Sequence, residues 1–248
     1  MKVLVIDVGG SNVKIRATGQ AEERRFESGP QMTAKAMADG VKKLAEGWAY
    51  DVVSIGYPGA VKNDQPVLEP HNLAPGWVKF DFRAAFGKPV KIINDAAMQA
   101  LGSYSQGKLL FLGLGTGLGS TMVVNGTVLP MELAHLPYRD KTFEDYVGEQ
   151  ALERHGKKKW RKFVADVVAR LSAALLPDDV VIGGGNVRHF AELPPGCRIG
   201  DNANAFAGGF RMWEGQSLND VVRAKAAPVR KAVAKKSAVR RRTATKAA

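Results

Sequence analysis

Val3-Leu4-Val5-Ile6-Asp7-Val8 runs into Gly9-Gly10-Ser11-Asn12, and the chain turns back through Val13-Lys14-Ile15-Arg16-Ala17. Lys2 to Val8 reads as a buried strand and Val13 to Ala17 as its hairpin partner across a tight glycine turn. The same construction starts over in the second half: Lys108 to Leu114 is a strand, Gly115 to Gly119 a glycine turn, and Ser120 to Val124 the returning strand. Around the first hairpin, Glu22 to Ser28 adds a strand and Thr33 to Trp48 is helical in composition. Asp51 to Gly56 and Val90 to Ile93 are short apolar runs, and Ala96 to Tyr104 is helix-like. Around the second, helical stretches cover Thr142 to His155 and Lys158 to Leu175, and a strand from Val180 to Ile182 ends in Gly183-Gly184-Gly185. Strands alternating with helices make the chain α/β. The repeated hairpin divides it into two related lobes, residues 1–105 and 106–222, each of ordinary domain size.

The 248 residues are 45% hydrophobic and 24% charged, the proportions of a globular protein rather than of a disordered or fibrous one. Cys197 is the one cysteine, so an internal disulfide and a thiolate zinc site are both excluded, and a reducing, cytoplasmic setting is expected. The opening apolar run is cut by Asp7, too short to span a bilayer, and no membrane association is expected. The net charge of +12 suggests a polyanion partner until it is located. Arg223 to Ala248 holds ten Lys or Arg and no acid, which leaves +2 for residues 1–222. Residues 223–248 read as a disordered Lys/Arg/Ala-rich tail outside the fold, suited to binding polyphosphate or another polyanion.

Each motif has a plain reading beside a functional one. Gly102 to Lys108 has the spacing of a Walker A loop, but Leu109 replaces the hydroxyl and a strand follows instead of a helix. Gly9 and Gly10 form a β-turn, or else let backbone N–H groups approach phosphate oxygens with Ser11 adding a hydroxyl; Asp7 beside them suits hydrated Mg²⁺. Gly113, Gly115, Gly117 and Gly119 weaken a strand, so a second anion cradle is the favoured explanation. Gly184 lies in a third glycine turn. Asn94-Asp95, at a strand-to-helix junction, is an N-cap, or in a phosphotransferase a substrate ligand and a base. Glu132 and His135 are a helical i, i+3 ion pair, or with Glu144 part of a set of polar groups suited to sugar hydroxyls. Lys157, Lys158, Lys159, Arg161 and Lys162 are a solvated helix face or a polyanion contact.

Taken in order, Asp7-x-Gly-Gly-Ser-x-x-Lys14, Gly56-Tyr57-Pro58-Gly59, Asn94-Asp95, Gly115-Thr116-Gly117-x-Gly119 and Glu132-x-x-His135 resemble the motifs of the ROK sugar kinases, in the sugar kinase/actin/Hsp70 superfamily. The likeness covers residues 1 to about 214. Glu132 to Tyr138, Phe143 to Gly148, Lys157 to Arg161, Gly183 to Asn186 and the Asn202 to Phe210 segment resemble its polyphosphate-using glucokinase branch. The resemblance implies two RNase H-like lobes with a cleft between them. It implies Asp95 as general base, Asn72, Asn94, Glu132, His135 and Glu144 as sugar ligands, and Gly9, Gly10, Ser11, Lys14, Gly115, Thr116, Gly117 and Gly184 around the donor, with Mg²⁺ held near Asp7 through water. The zinc-binding cysteine cluster of many members is missing, so no zinc is expected, and Ala134 replaces the usual glycine before the histidine.

The expected reaction is transfer of a terminal phosphoryl group from polyphosphate, ATP or both to the 6-hydroxyl of glucose, in a homodimer. The alternatives are a strictly ATP-dependent hexokinase of the family and a non-catalytic sugar-sensing or nucleic-acid-associated member. Repressors of the family carry an added N-terminal DNA-binding domain, whereas this sequence begins at the first strand and has Asp95, which favours the enzyme.

Overall fold

In a computed structural model, residues 1–201 and 203–216 are described. The end of the second expected lobe and the whole basic tail, 223–248, lie outside them.

The first half builds a five-stranded sheet. β1 (Val3–Val8), β2 (Asn12–Ala17) and β3 (Arg24–Glu27) form an antiparallel meander, followed by helix α1 (Ala34–Leu44), β4 (Val52–Tyr57), the small hairpin β5 (Val61–Lys62) and β6 (Gln65–Pro66), α2 (Phe82–Phe86) and β7 (Val90–Asn94). The order across the sheet is β3-β2-β1-β4-β7, with β1, β4 and β7 parallel. Helix α3 (Asp95–Ser103) leads to the second half.

That half repeats the plan. β8 (Lys108–Leu114), β9 (Leu118–Val124) and β10 (Thr127–Met131) form the meander. Then come the short pair β11 (Pro137–Tyr138) and β12 (Lys141–Thr142), α4 (Phe143–Val147), α5 (Glu149–Leu175), β13 (Asp179–Gly183) and β14 (Cys197–Ile199). The order β10-β9-β8-β13-β14, with β8, β13 and β14 parallel, is that of the first sheet. The repeat read from the two glycine hairpins is therefore a repeat of whole sheets. Within α5 two helical stretches, 149–155 and 157–175, meet at a kink at Gly156, whose backbone (φ 71°, ψ 160°) only glycine adopts readily, so the expected break between two helices is present. The first expected helix, Thr142 to His155, is itself interrupted at Gly148, whose backbone is extended.

Both central strands are buried on two faces, which is why their sequences lack alternation. Leu4, Ile6 and Val8 of β1 pack under α1, while Val3 and Val5 face the other way. In β8, Leu110, Leu112 and Leu114 face one core, and Leu109 and Phe111 face α3. Helix α3 lies between the sheets, with Met98 packed toward the first and Ala96 and Ala100 toward the second. Helix α6 (Asn204–Arg211) returns to the first sheet. Ser54 Oγ donates to the Gly209 carbonyl at 2.6 Å and accepts from Trp213 Nε1 at 2.8 Å, and Lys91 Nζ reaches the Met212 carbonyl at 2.5 Å. Among the described residues no helix is long and apolar enough to cross a membrane.

Candidate active site

Asp95 is the first residue of α3, and the strand-to-helix junction fixes it. Asn94 caps the helix: its Oδ1 accepts from Ala97 N at 3.2 Å, and its Nδ2 donates to the Gly59 carbonyl at 3.1 Å. The N-cap reading is therefore correct, and it is compatible with a ligand role, because one amide hydrogen and one lone pair remain. Asp95 Oδ1 accepts from Ala96 N at 2.8 Å. Glycines from both sheets make room for this helix end. A Cβ on Gly56 would stand 2.4 Å from Met98 Cε, and one on Gly119 would stand 3.0 Å from Ala96 Cβ.

A cavity of about 830 Å³ opens above this junction, lined by Gly10, Pro58 and Gly59 from the first half and by Gly115, Thr116, Gly117 and Gly119 from the second. Asp95, Asn72, Asn94, Glu132, His135, Glu144 and Gly184 line it as well. Eleven of the fifteen residues singled out from the sequence thus meet at one cavity. Gly9, Ser11, Lys14 and Asp7 are not in its lining. Gly9 is held in its turn by N–H donation to the Asn12 carbonyl, and its own carbonyl accepts from Ser28 Oγ at 2.6 Å. Lys14 lies opposite Asp7 in the β1–β2 ladder.

The alternating glycines of the second hairpin answer several demands rather than one. Gly119 admits α3, as above. Gly117 carries the Glu144 carboxylate so closely that a Cβ would fall 1.9 Å from Oε2, and the same oxygen accepts from Leu118 N at 3.2 Å. A Cβ on Gly115 would meet nothing within 4 Å, and its φ is not left-handed. Among the described residues, the amides of Gly10, Thr116 and Gly117 donate to no backbone acceptor in the turns, so they are available to a ligand.

Burial pushes the Asp95 carboxyl up to about 7, the negative charge of Asp7 adds to the rise, and the bond from Ala96 N–H opposes it. Asp7 is also raised, by burial first, with Lys14 pulling the other way. Two carboxyls so placed are short of positive charge. That fits Mg²⁺, which takes one or two carboxylates and completes its shell with water and phosphate oxygens.

Sequence reasoning missed several lining groups. Glu69 accepts from the backbone N–H groups of Gly76 and Trp77, both at 3.0 Å, and of Val78 at 3.4 Å, which fastens the loop presenting His71 and Asn72. Gln99, Gln150 and Arg154 also line the cavity. Nothing local distinguishes them from ordinary helix residues. Glu132 and His135 make no ion pair with each other among the described residues, and Leu133–His135 is a single 3₁₀ turn rather than a helix. The basic run 157–162 is outside the cavity lining, and Arg161 Nε donates to the His189 carbonyl at 2.6 Å.

With this geometry in place, likeness to known proteins becomes informative. Residues 3–130 match the model of the ROK family. A polyphosphate glucokinase of Mycobacterium tuberculosis (strain CDC 1551 / Oshkosh) is 31% identical over 205 residues, covering 73% of this chain and 76% of that protein. The crystal structure of an inorganic polyphosphate/ATP-glucomannokinase from Arthrobacter sp. strain KM superposes with a TM-score of 0.72 at 20% identity, over 90% of this chain and 99% of that one. A ROK family transcriptional regulator, a homologue of the E. coli MLC protein, superposes with a TM-score of 0.70 at 15% identity, over 90% and 80% of the two chains. An enzyme and a regulator share this fold, so the site and not the fold must carry the function.

Proposed function

Because the chain belongs to the ROK family, we propose that it is a sugar kinase that transfers the terminal phosphoryl group of inorganic polyphosphate or ATP to the 6-hydroxyl of glucose, giving glucose 6-phosphate. One observation carries the reading: two glycine turns, one from each sheet, line the same cavity as an aspartate whose carboxyl is pushed up to about 7.

Asn94, with its amide locked by Gly59 and Ala97, orients the sugar together with Asn72, Glu132, His135 and Glu144. Asp95 accepts the 6-hydroxyl proton as the oxygen attacks in line. The amides of Gly10, Thr116 and Gly117 face the phosphoryl oxygens, where hydrogen bonds strengthen as charge develops. Asp7, opposite Lys14 in the β1–β2 ladder, is the residue that would hold Mg²⁺ through water, and the bound ion would neutralise charge on the donor phosphates. Residues 1–105 and the described part of 106–222 serve as the two lobes, with α6 tying the second back to the first, and closure around substrate excludes water.

The test is direct: the protein is incubated with glucose, Mg²⁺ and either long polyphosphate or ATP, and glucose 6-phosphate is assayed. Product from polyphosphate supports the reading, product from ATP alone corrects the donor, and no product from either rejects it.

Two further results are expected. Since Asp95 must be ionised to act, kcat/KM rises with pH as its carboxyl loses its proton, with a midpoint near 7. A flat profile from pH 5 to 8 contradicts the assignment. Gly115→Ala meets no atom in the free protein, so its Tm stays within about 2 °C of the parent, a surface-like effect. Donor KM nevertheless rises about tenfold or more, because the new methyl occupies the space through which phosphate approaches the backbone. An unchanged donor KM removes that turn from the donor site.

A further inference from the structure

Five carboxylates line the cavity, those of Glu69, Asp95, Glu132, Glu144 and Asp145, against one guanidinium, that of Arg154, and no lysine among the described residues. For a neutral sugar this is unremarkable. For a donor that is itself a chain of anions it leaves a single fixed cation to offset repulsion along the cavity wall.

Arg154 is on the stretch Glu149–His155 of α5, set apart from the rest of the helix by Gly156. The start of that stretch is fastened to the second glycine turn. Glu149 N donates to the Thr116 carbonyl at 3.1 Å, and a Cβ on Gly148 would stand 3.4 Å from Gly117 Cα. Gln150 and Arg154, four residues apart, share the helix face that meets the cavity. Six residues of helix set Arg154 about 9 Å beyond the turn. Its side chain is exposed and makes no ion pair among the described residues. The basic run at 157–162, the sequence's own candidate for this task, lies past the Gly156 break and outside the lining.

We infer that Arg154 is a donor-specificity residue, its guanidinium holding the phosphate groups that lie beyond the one transferred. This rests on the sugar kinase reading and deepens it. With the transferred group between Asp95 and the 115–117 turn, the remainder of the donor runs outward along α5 and meets Arg154. A guanidinium matches two phosphate oxygens with parallel N–H donors, whereas an uncharged sugar offers no equivalent partner.

Full-length parent, Arg154→Gln and Arg154→Lys are compared for glucose KM and for donor KM with tripolyphosphate and long polyphosphate, at two salt concentrations. Tripolyphosphate binding is also measured by calorimetry without glucose. For Arg154→Gln, donor KM and the calorimetric Kd rise at least about tenfold, glucose KM stays within about twofold, and the salt dependence of donor KM flattens as one phosphate contact is lost. Unchanged donor KM and Kd, or a rise confined to glucose, overturns the inference. If Arg154→Gln does not fold, Arg154→Lys decides: it keeps the charge and loses the fork, so donor KM rises at least about threefold, and an unchanged value overturns the inference. A parent protein that phosphorylates no sugar refutes the kinase reading separately, and the calorimetric comparison still tests Arg154.

Discussion

Asp95→Asn lowers turnover at least about a hundredfold while glucose affinity stays within a few-fold of the parent. Asparagine keeps the shape and can still accept the Ala96 N–H bond, so the loop geometry survives. What disappears is a group able to take the proton. The same substitution should stabilise the fold above neutral pH. The Asp95 carboxyl titrates near 7 in the folded protein against an ordinary value of 3.8, so its ionisation in the partly buried site opposes folding. That cost is absent below pH 4, grows as pH rises from 4 to 7, and is constant above, where removing it gives roughly 2 kcal/mol after allowance for water in the cavity. Thermal melts at pH 4 and pH 8 check the sign: the variant gains at pH 8 and not at pH 4. Near-parental turnover, or a stability gain at pH 4 instead of pH 8, contradicts the role given to Asp95.

Gly102→Ala costs at least about 3 kcal/mol, although alanine is the better helix former by about 1 kcal/mol. Helices α3 and α6 cross there backbone to backbone. A Cβ on Gly102 would fall 1.8 Å from the Asn204 carbonyl oxygen, and one on Gly208 would fall 1.8 Å from that of Met98. No side chain can rotate to relieve either overlap, so α6 must lift. Lifting it breaks the bonds from Arg211 Nη1 to the Leu101 and Tyr104 carbonyls, which cap the end of α3, and uncovers the buried Ser54–Trp213 contact. A fall in Tm of more than 5 °C, with parallel loss at Gly208→Ala, is the expected outcome for a chain of this size. Parental stability in both variants contradicts the crossing.

The two sheets were legible because each begins with the same signature, an apolar strand, glycines and a returning strand, and because Asp51 to Gly56 and Val90 to Ile93 are β-branched runs of the right length. The edge strands of the second sheet were not. Thr127–Met131 contains Pro130, which argues against a strand in sequence, yet it pairs along its whole length on the sheet edge, where a missing N–H is tolerated. Cys197–Ile199 is only three residues long. Asp95 and its neighbours could be named because the Asn-Asp pair stands at a strand end. Glu69 and Arg154 could not, since a carboxylate that ties three amides, or a guanidinium that turns toward a cavity, becomes distinctive only after the chain has brought distant segments together. The glycines of 113–119 misled in part. One cause, phosphate approach, was inferred for all of them, while Gly117 and Gly119 are required by Glu144 and Ala96.

Backbone hydrogen exchange in Asp95→Asn protein, with glucose and tripolyphosphate added together, tests most directly whether the two turns grip one ligand. The expected result is that residues 9–12 and 115–118 gain protection together, at the same ligand concentration, with little change in the outer strands. Protection at one turn only, or at neither while glucose is bound, would show that the turns do not share a donor.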